Sequence, residues 1–199
     1  HLMDLSKAVI ENQADLGIAV DPYVDRLVFM MEDGELFGEE YTLFAVADYI
    51  VSQNSGNTVS NLSSTRALRD VTQRHGGEYF AAAVGEVNVV SKMKEVDAVI
   101  GGEGNGGIIY PDSHYGRDAL VGVALFLTHL AKIQQKPTAY RASLPQYYMS
   151  KNKITLTPQL DIDQLLATMQ TRYAHENHST VDGLKIDFAN EWVHLRKSN

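Results

Sequence analysis

Between Glu39 and Ile109 short apolar runs alternate with single helix-length segments, and this rhythm restricts the fold more than any other property of the chain. The runs NTVSNLS, EYFAAA and DAVIGGEG are strand-sized and bounded by Gly, Asn or Ser. The segments around them are helical. In GEEYTLFAVADYIVSQ, Leu43, Phe44, Ala47, Ile50 and Val51 recur at helical spacing, acids crowd the first turn, and Gly56 lies just past the end. TRALRDVTQRHGG stops at Gly76 and Gly77, with Ser63 or Ser64 placed to cap it, and VNVVSKMKEV follows. Strands separated by one helix each cannot pair as tight hairpins, so the expectation is βαβ units and a mixed, largely parallel sheet covered by helices, an α/β/α domain.

The flanks read differently. A short amphipathic helix around Leu5 to Gln13 leads into LGIAV and LVFMM, two strands on either side of an acidic turn, and then a hairpin-like EDGE at Glu32 to Glu35. After the long helix GRDALVGVALFLTHLAKIQQ the composition shifts at Lys136 and Pro137, where a boundary is expected. Beyond it come an extended YYMSKNKITLT, a helix DIDQLLATMQTRYA with Asp161 near its cap, and the strands GLKIDF and EWVHLRK. That β, α, β, β order suits a small antiparallel sheet with a helix on one face. The expected division is 1–35, 36–136 and 137–199. The last part has a thin core and stops at Asn199 directly after a strand, which points to a truncated domain.

Composition removes several classes of function. With 199 residues and 44% hydrophobic side chains the chain buries a core. A formal charge of −8 disfavours nonspecific binding to nucleic acid or anionic membranes, although it leaves room for a local basic pocket around a phosphate. No run approaches the roughly 18 apolar residues of a membrane helix, and the N-terminus is not signal-like. Cysteine is absent, so there is no disulfide framework, thiolate metal site or thiol nucleophile. The expected setting is cytoplasmic and the expected partners are small and soluble; the oligomeric state is not legible.

Three stretches carry chemistry. In the acidic turn, Asp21 and Asp25 are hard oxygen donors suited to Mg2+, and Arg26 beside them can set a planar fork against a phosphate. The alternative is a solvated turn with Asx caps. In GGEGNGG, Gly101 to Gly107, glycines permit close approach to a ligand, and Glu103 and Asn105 point the same way if the segment stays extended. A carboxylate beside an amide suits a vicinal diol, as in a sugar; the alternative is a flexible glycine turn, and the spacing fits neither a P-loop nor a dinucleotide fingerprint. In the terminal HLRKSN, Arg196 and Ser198 can hold a phosphate and Lys197 adds charge, or the segment is an ordinary basic terminus. His175 and His178 lack the zincin spacing, and Trp192 with Tyr147 and Tyr148 reads as an anchor for the small last unit.

In this order the three stretches resemble the α-D-phosphohexomutases, the group of phosphoglucomutase, phosphomannomutase and phosphoglucosamine mutase. The likeness includes VGEVNVVSKM and GEGNGGIIYPDSHYGRD and runs along essentially the whole chain. It maps the chain onto the end of that family's second domain, its third domain, and part of its fourth. The family's phosphoserine, within a motif like TASHNP, has no counterpart here.

The resemblance implies Mg-dependent interconversion of hexose 1- and 6-phosphates through a phosphoserine and a hexose 1,6-bisphosphate, with this portion inactive alone. It implies Asp21 and Asp25 as metal ligands, Arg26 as a contact to the phosphoserine or the transferring phosphate, and Glu103 and Asn105 as ligands of sugar hydroxyls. Arg196, Ser198 and Asn199 match the start of a distal phosphate clamp. One position departs: the family has a third Asp where this chain has Tyr23. A neutral phenol, with a pKa near 10, is a poor Mg2+ donor, so weakened metal binding is expected. A noncatalytic phosphosugar-binding relative stays open as the other reading.

Overall fold

The computed structural model describes residues 2–155 and 160–197. By its internal contacts the chain forms two compact units, 1–147 and 148–199. In the first, helix α1 (Leu2–Glu11) precedes a hairpin of β1 (Leu16–Val20) and β2 (Leu27–Met31), antiparallel from Leu16 opposite Met31 to Val20 opposite Leu27. The EDGE turn follows, with Gly34 at φ 81° in the left-handed region that a Cβ disfavours.

Then the alternation takes over. Helix α2 (Glu39–Gln53), strand β3 (Asn57–Asn61), helix α3 (Ala67–Arg74), strand β4 (Tyr79–Ala82), helix α4 (Glu86–Glu95) and strand β5 (Ala98–Glu103) build a sheet in which β3 runs parallel to both β4 and β5. A short β6 (Gly107–Ile109) adds an antiparallel edge, giving the order β4-β3-β5-β6. Helices α5 (Ala119–Ile133) and α6 (Pro137–Ser143) complete the unit. The sheet is largely parallel, as the alternation implies, because each β-to-β step in the centre is a helical crossover.

Two cores lie on its faces. The larger gathers Phe29, Phe37, Phe44, Leu68, Ile100, Ile108, Phe126 and Tyr140, drawn from β2, α2, α3, α5 and α6 as well as the sheet. The smaller joins Val59, Ala82, Val89, Met93 and Ile109 under α4. Helix α2 is buried along most of its length, since Tyr41 through Ala47 are all buried, whereas α4 buries only Val89 and Met93.

Several local expectations change. Neither Ser63 nor Ser64 is the N-cap of α3, which is Arg66, with no capping hydrogen bond from its side chain; Ser64 Oγ instead donates to Asn61 Oδ1 at 3.1 Å and accepts from the Gly104 amide. The break between compact units falls after Tyr147, later than the composition shift at Lys136 and Pro137, because α6 starts on that proline and packs Tyr140 into the first core. Tyr147 likewise belongs to the first unit: its amide donates to Tyr41 Oη at 2.7 Å and its hydroxyl bonds Asp70. Tyr148 is 98% exposed and anchors nothing.

The second unit holds helix α7 (Ile162–Arg172), capped by Asp161 accepting from the Gln164 amide, and an antiparallel sheet β7 (Asn177–Ser179), β8 (Leu184–Asp187), β9 (Trp192–Leu195). Among its described residues, Leu184 and Ile186 are the buried apolar ones. Among the described residues the order is α, β, β, β in place of the expected β, α, β, β, and the described part of YYMSKNKITLT carries no strand. The first strand lies inside HENHS, where His178 pairs with Ile186; a polar three-residue strand has no apolar alternation to announce it.

Candidate functional site

The acidic turn closes the β1–β2 hairpin. Its backbone is held by Asp21 N donating to Arg26 O at 3.2 Å and Val24 N to Asp21 O at 3.0 Å, with Val24 at φ 56°. Asp21 Oδ1 accepts from the amides of Asp25 and Arg26 at 3.1 and 3.2 Å, and Oδ2 accepts from Arg26 Nε at 3.2 Å. Burial works against ionisation of Asp21, but the bonds with the Asp25 side chain, the Arg26 and Asp25 amides and the Arg26 side chain outweigh it and hold the carboxyl at about 2. Asp25 moves the other way. Desolvation and its neighbour Asp21 raise it against the pull of Arg117.

Asp25 Oδ2 is paired with the Arg117 guanidinium, while its Oδ1 is buried without a hydrogen-bond partner. A carboxylate oxygen left in that condition beside a second carboxylate suits a hard cation. The donor set is small. Tyr23 is 86% exposed, and among the described residues no group of three or more His, Cys, Asp or Glu is arranged to hold a metal. Two carboxylates fit Mg2+ only if water fills the remaining positions, which Mg2+ tolerates.

Glu103 and Asn105 do not lie side by side on an extended segment. Glu103 pairs across the sheet with Gly107, so the chain must reverse over three residues, with Gly106 at φ 84°. A Cβ on Gly106 would meet the Leu27 carbonyl oxygen at 2.2 Å, and Leu27 N donates to Gly106 O at 3.2 Å, which ties this turn to the end of the acidic one. Asn105 Oδ1 accepts from the Gly107 amide at 3.2 Å. Glu103 is only 4% exposed: Oε1 accepts from Asn61 Nδ2 at 2.8 Å and Gly85 N at 3.1 Å, and Oε2 accepts from Arg117 at 2.9 Å.

Arg117 and Glu86 are the residues that reading along the chain missed. The Arg117 amide donates to Glu86 Oε1 at 3.0 Å, and its Nε lies 3.3 Å from Glu86 Oε2. The available signal was an arginine in YGRD just before the Asp118 that caps α5. Asn61 and Glu103 close β3 and β5, and Arg117 brings Asp25 and Glu86 to Glu103 at those C-terminal strand ends. There the chain leaves β3 for β4 on one side and returns to β5 on the other, the crevice where open α/β sheets bind ligands.

The basic end of the chain belongs to the second unit. Arg196 Nη1 is 4.0 Å from Asp182 Oδ2, and Lys197 Nζ is 2.9 Å from Asp163 Oδ1. Ser198 and Asn199 lie outside the described residues. His175 has a side chain 72% exposed in a turn, His178 sits on β7, and Trp192 lies under Lys185 Nζ at 4.6 Å, all within the same unit.

Comparison with known proteins adds four findings. The family model described as phosphoglucomutase/phosphomannomutase, alpha/beta/alpha domain III matches residues 38–148. A protein of Methanopyrus kandleri named probable phosphoglucosamine mutase is 30% identical over 100% of this chain and 44% of its own length. Among solved structures, a phosphoglucomutase/phosphomannomutase family protein of Burkholderia thailandensis superposes with a TM-score of 0.79 at 26% identity, covering 100% of this chain and 43% of that one. An N-acetylphosphoglucosamine mutase of Aspergillus fumigatus, solved with GlcNAc-6P and magnesium, shares the fold at 12% identity and a TM-score of 0.54, over 84% of this chain and 46% of its own. The chain thus spans less than half the length of the relatives it matches.

Proposed function

Given that the chain belongs to the phosphoglucomutase/phosphomannomutase family, we propose that it supplies the cation loop, the sugar-contacting loop and the start of a distal phosphate clamp to a hexose phosphate mutase. The observation that supports this most is the convergence of the acidic turn and the glycine-rich turn on one guanidinium: Asp25 and Glu103 both pair with Arg117. Two loops that are far apart in sequence and chemically matched to a phosphate-bound cation and to a sugar hydroxyl stand together.

In this reading Asp21 and Asp25 hold Mg2+, which when bound supplies charge neutralisation to the migrating phosphoryl group. Arg26, half exposed and held by Asp21, turns a fork toward a phosphate. Glu103 orients a sugar hydroxyl through the acceptor capacity its present partners leave, and Asn105 offers its amide from the turn that follows. Arg196, with Ser198 and Asn199, grips the distal phosphate. The chain in this reading holds the end of one domain, a whole α/β/α domain that extends past the expected boundary at 136 to Tyr147, and part of a last one. In this reading the phosphoryl carrier belongs to another part of the whole protein, which acts on cytoplasmic phosphosugars with a hexose 1,6-bisphosphate primer.

The test is a mutase assay of the whole protein with Mg2+, the bisphosphate primer and glucose, mannose and glucosamine 1-phosphates in turn, beside this chain alone. Interconversion by the whole protein and none by the chain supports the proposal. Binding of phosphosugar without turnover in the whole protein favours the second reading, a noncatalytic binding relative, toward which the exposed Tyr23 at a carboxylate position leans.

A further inference from the structure

Arg117 joins three carboxylates at the crevice. Its guanidinium meets Asp25 of the acidic turn, Glu86 at the start of α4 and Glu103 at the end of β5, and its side chain is only 19% exposed. Three carboxylates on three segments, far apart in sequence, share one cation. If Arg117 only balanced charge, any compact cation would serve; the contacts instead divide among separate nitrogens, Nη2 to Asp25, Nη1 to Glu103 and Nε facing Glu86. A planar fork with fixed donor directions can set the relative positions of Asp25 and Glu103, with Glu86 alongside as a charge partner, and an ammonium on a flexible stem cannot.

Its backbone sits in the same network. The Arg117 amide donates to Glu86, and the next residue, Asp118, caps α5 by accepting from the Val121 amide at 3.0 Å. The arginine is therefore fixed at its base as well as at its tip. Glu103 transmits the contact further, because its other oxygen holds Asn61 Nδ2 and the Gly85 amide.

We propose that Arg117 is a positioning residue that couples the acidic turn to the glycine-rich turn, so that a change at Asp25 is felt at Glu103 through the guanidinium. The inference rests on the functional reading above for its meaning, since there it joins the cation site to the sugar site, but the coupling is measurable without cation or sugar.

The test reads amide chemical shifts of the full chain. In the wild-type background Asp25→Asn is expected to shift two reporters of Glu103, the Gly85 backbone amide and the Asn61 side-chain amide, although neither residue neighbours Asp25 in sequence. In Arg117→Met that remote shift is expected to be lost. In Arg117→Lys, which keeps the charge and protects the fold if the methionine variant melts early, it is also expected to be lost. Persistence of the shift in either variant, or its absence in the wild-type background, overturns the coupling. A parallel Mg2+ titration separates this from the functional reading: no perturbation of the Asp21 and Asp25 amides by Mg2+ sinks the cation loop and leaves the Arg117 result to stand or fall by itself.

Discussion

Replacing Tyr23 by Asp should strengthen divalent-cation binding at the acidic turn. The side chain is 86% exposed, so its removal forfeits little packing, and the fold is expected to keep its stability within about 0.5 kcal/mol. What changes is charge. Two unit charges about 4 Å apart in water interact by about 1 kcal/mol, and a divalent ion doubles this to about 2 kcal/mol. Salt weakens an exposed pair, so the usable part is nearer 1.4 kcal/mol, or about a tenfold fall in Kd. The assay is a titration of this chain with Mn2+, followed by the signal of the free ion and repeated with Mg2+ as competitor. Asp25→Asn serves as the opposite control, because it removes the carboxylate whose Oδ1 is buried and unpartnered. Unchanged or weaker binding in Tyr23→Asp, with the melting curve intact, would refute the assignment of the turn as a cation site short of one ligand.

Two other perturbations probe the scaffold. Phe126 is fully buried, stacked on Phe29 with ring centroids 4.0 Å apart and edge-on to Phe37 at 5.0 Å; Phe126→Ala should cost about 3–5 kcal/mol in a denaturant titration, and a loss below about 1 kcal/mol would show that this core does not hold β2 to α5. Burial lowers His129 from its ordinary 6.5, with Asp48 opposing and Lys132 assisting, and its Nε2 has no hydrogen-bond partner. The folded state then binds fewer protons than the unfolded one, so this contribution to stability is present above 6.5 and is lost as pH falls below it. Melting temperatures between about pH 7 and pH 5.5 should fall less steeply in His129→Leu than in the wild type, and parallel slopes would remove His129 as the cause.

The alternation of apolar runs and helical segments determined the parallel centre of the first unit, because period and length are local properties that survive into the fold. The β1–β2 hairpin, its acidic turn and the strands β8 and β9 were legible for the same reason. Short and polar elements were not. Strand β7 has no apolar alternation, and α6 opens on the very proline that marked a change of composition. At the site, the residue types at Asp21, Asp25, Arg26 and Glu103 could be singled out from their neighbours in the chain, but their conformation could not. The pairing of β5 with β6 forces a reversal after Glu103, buries that carboxylate and turns Asn105 onto the Gly107 amide. Arg117 carried no motif of its own. Only the tertiary structure shows that Asp25, Glu86 and Glu103 meet at its guanidinium, because such contacts are made where β3 and β5 end and not by spacing along the chain.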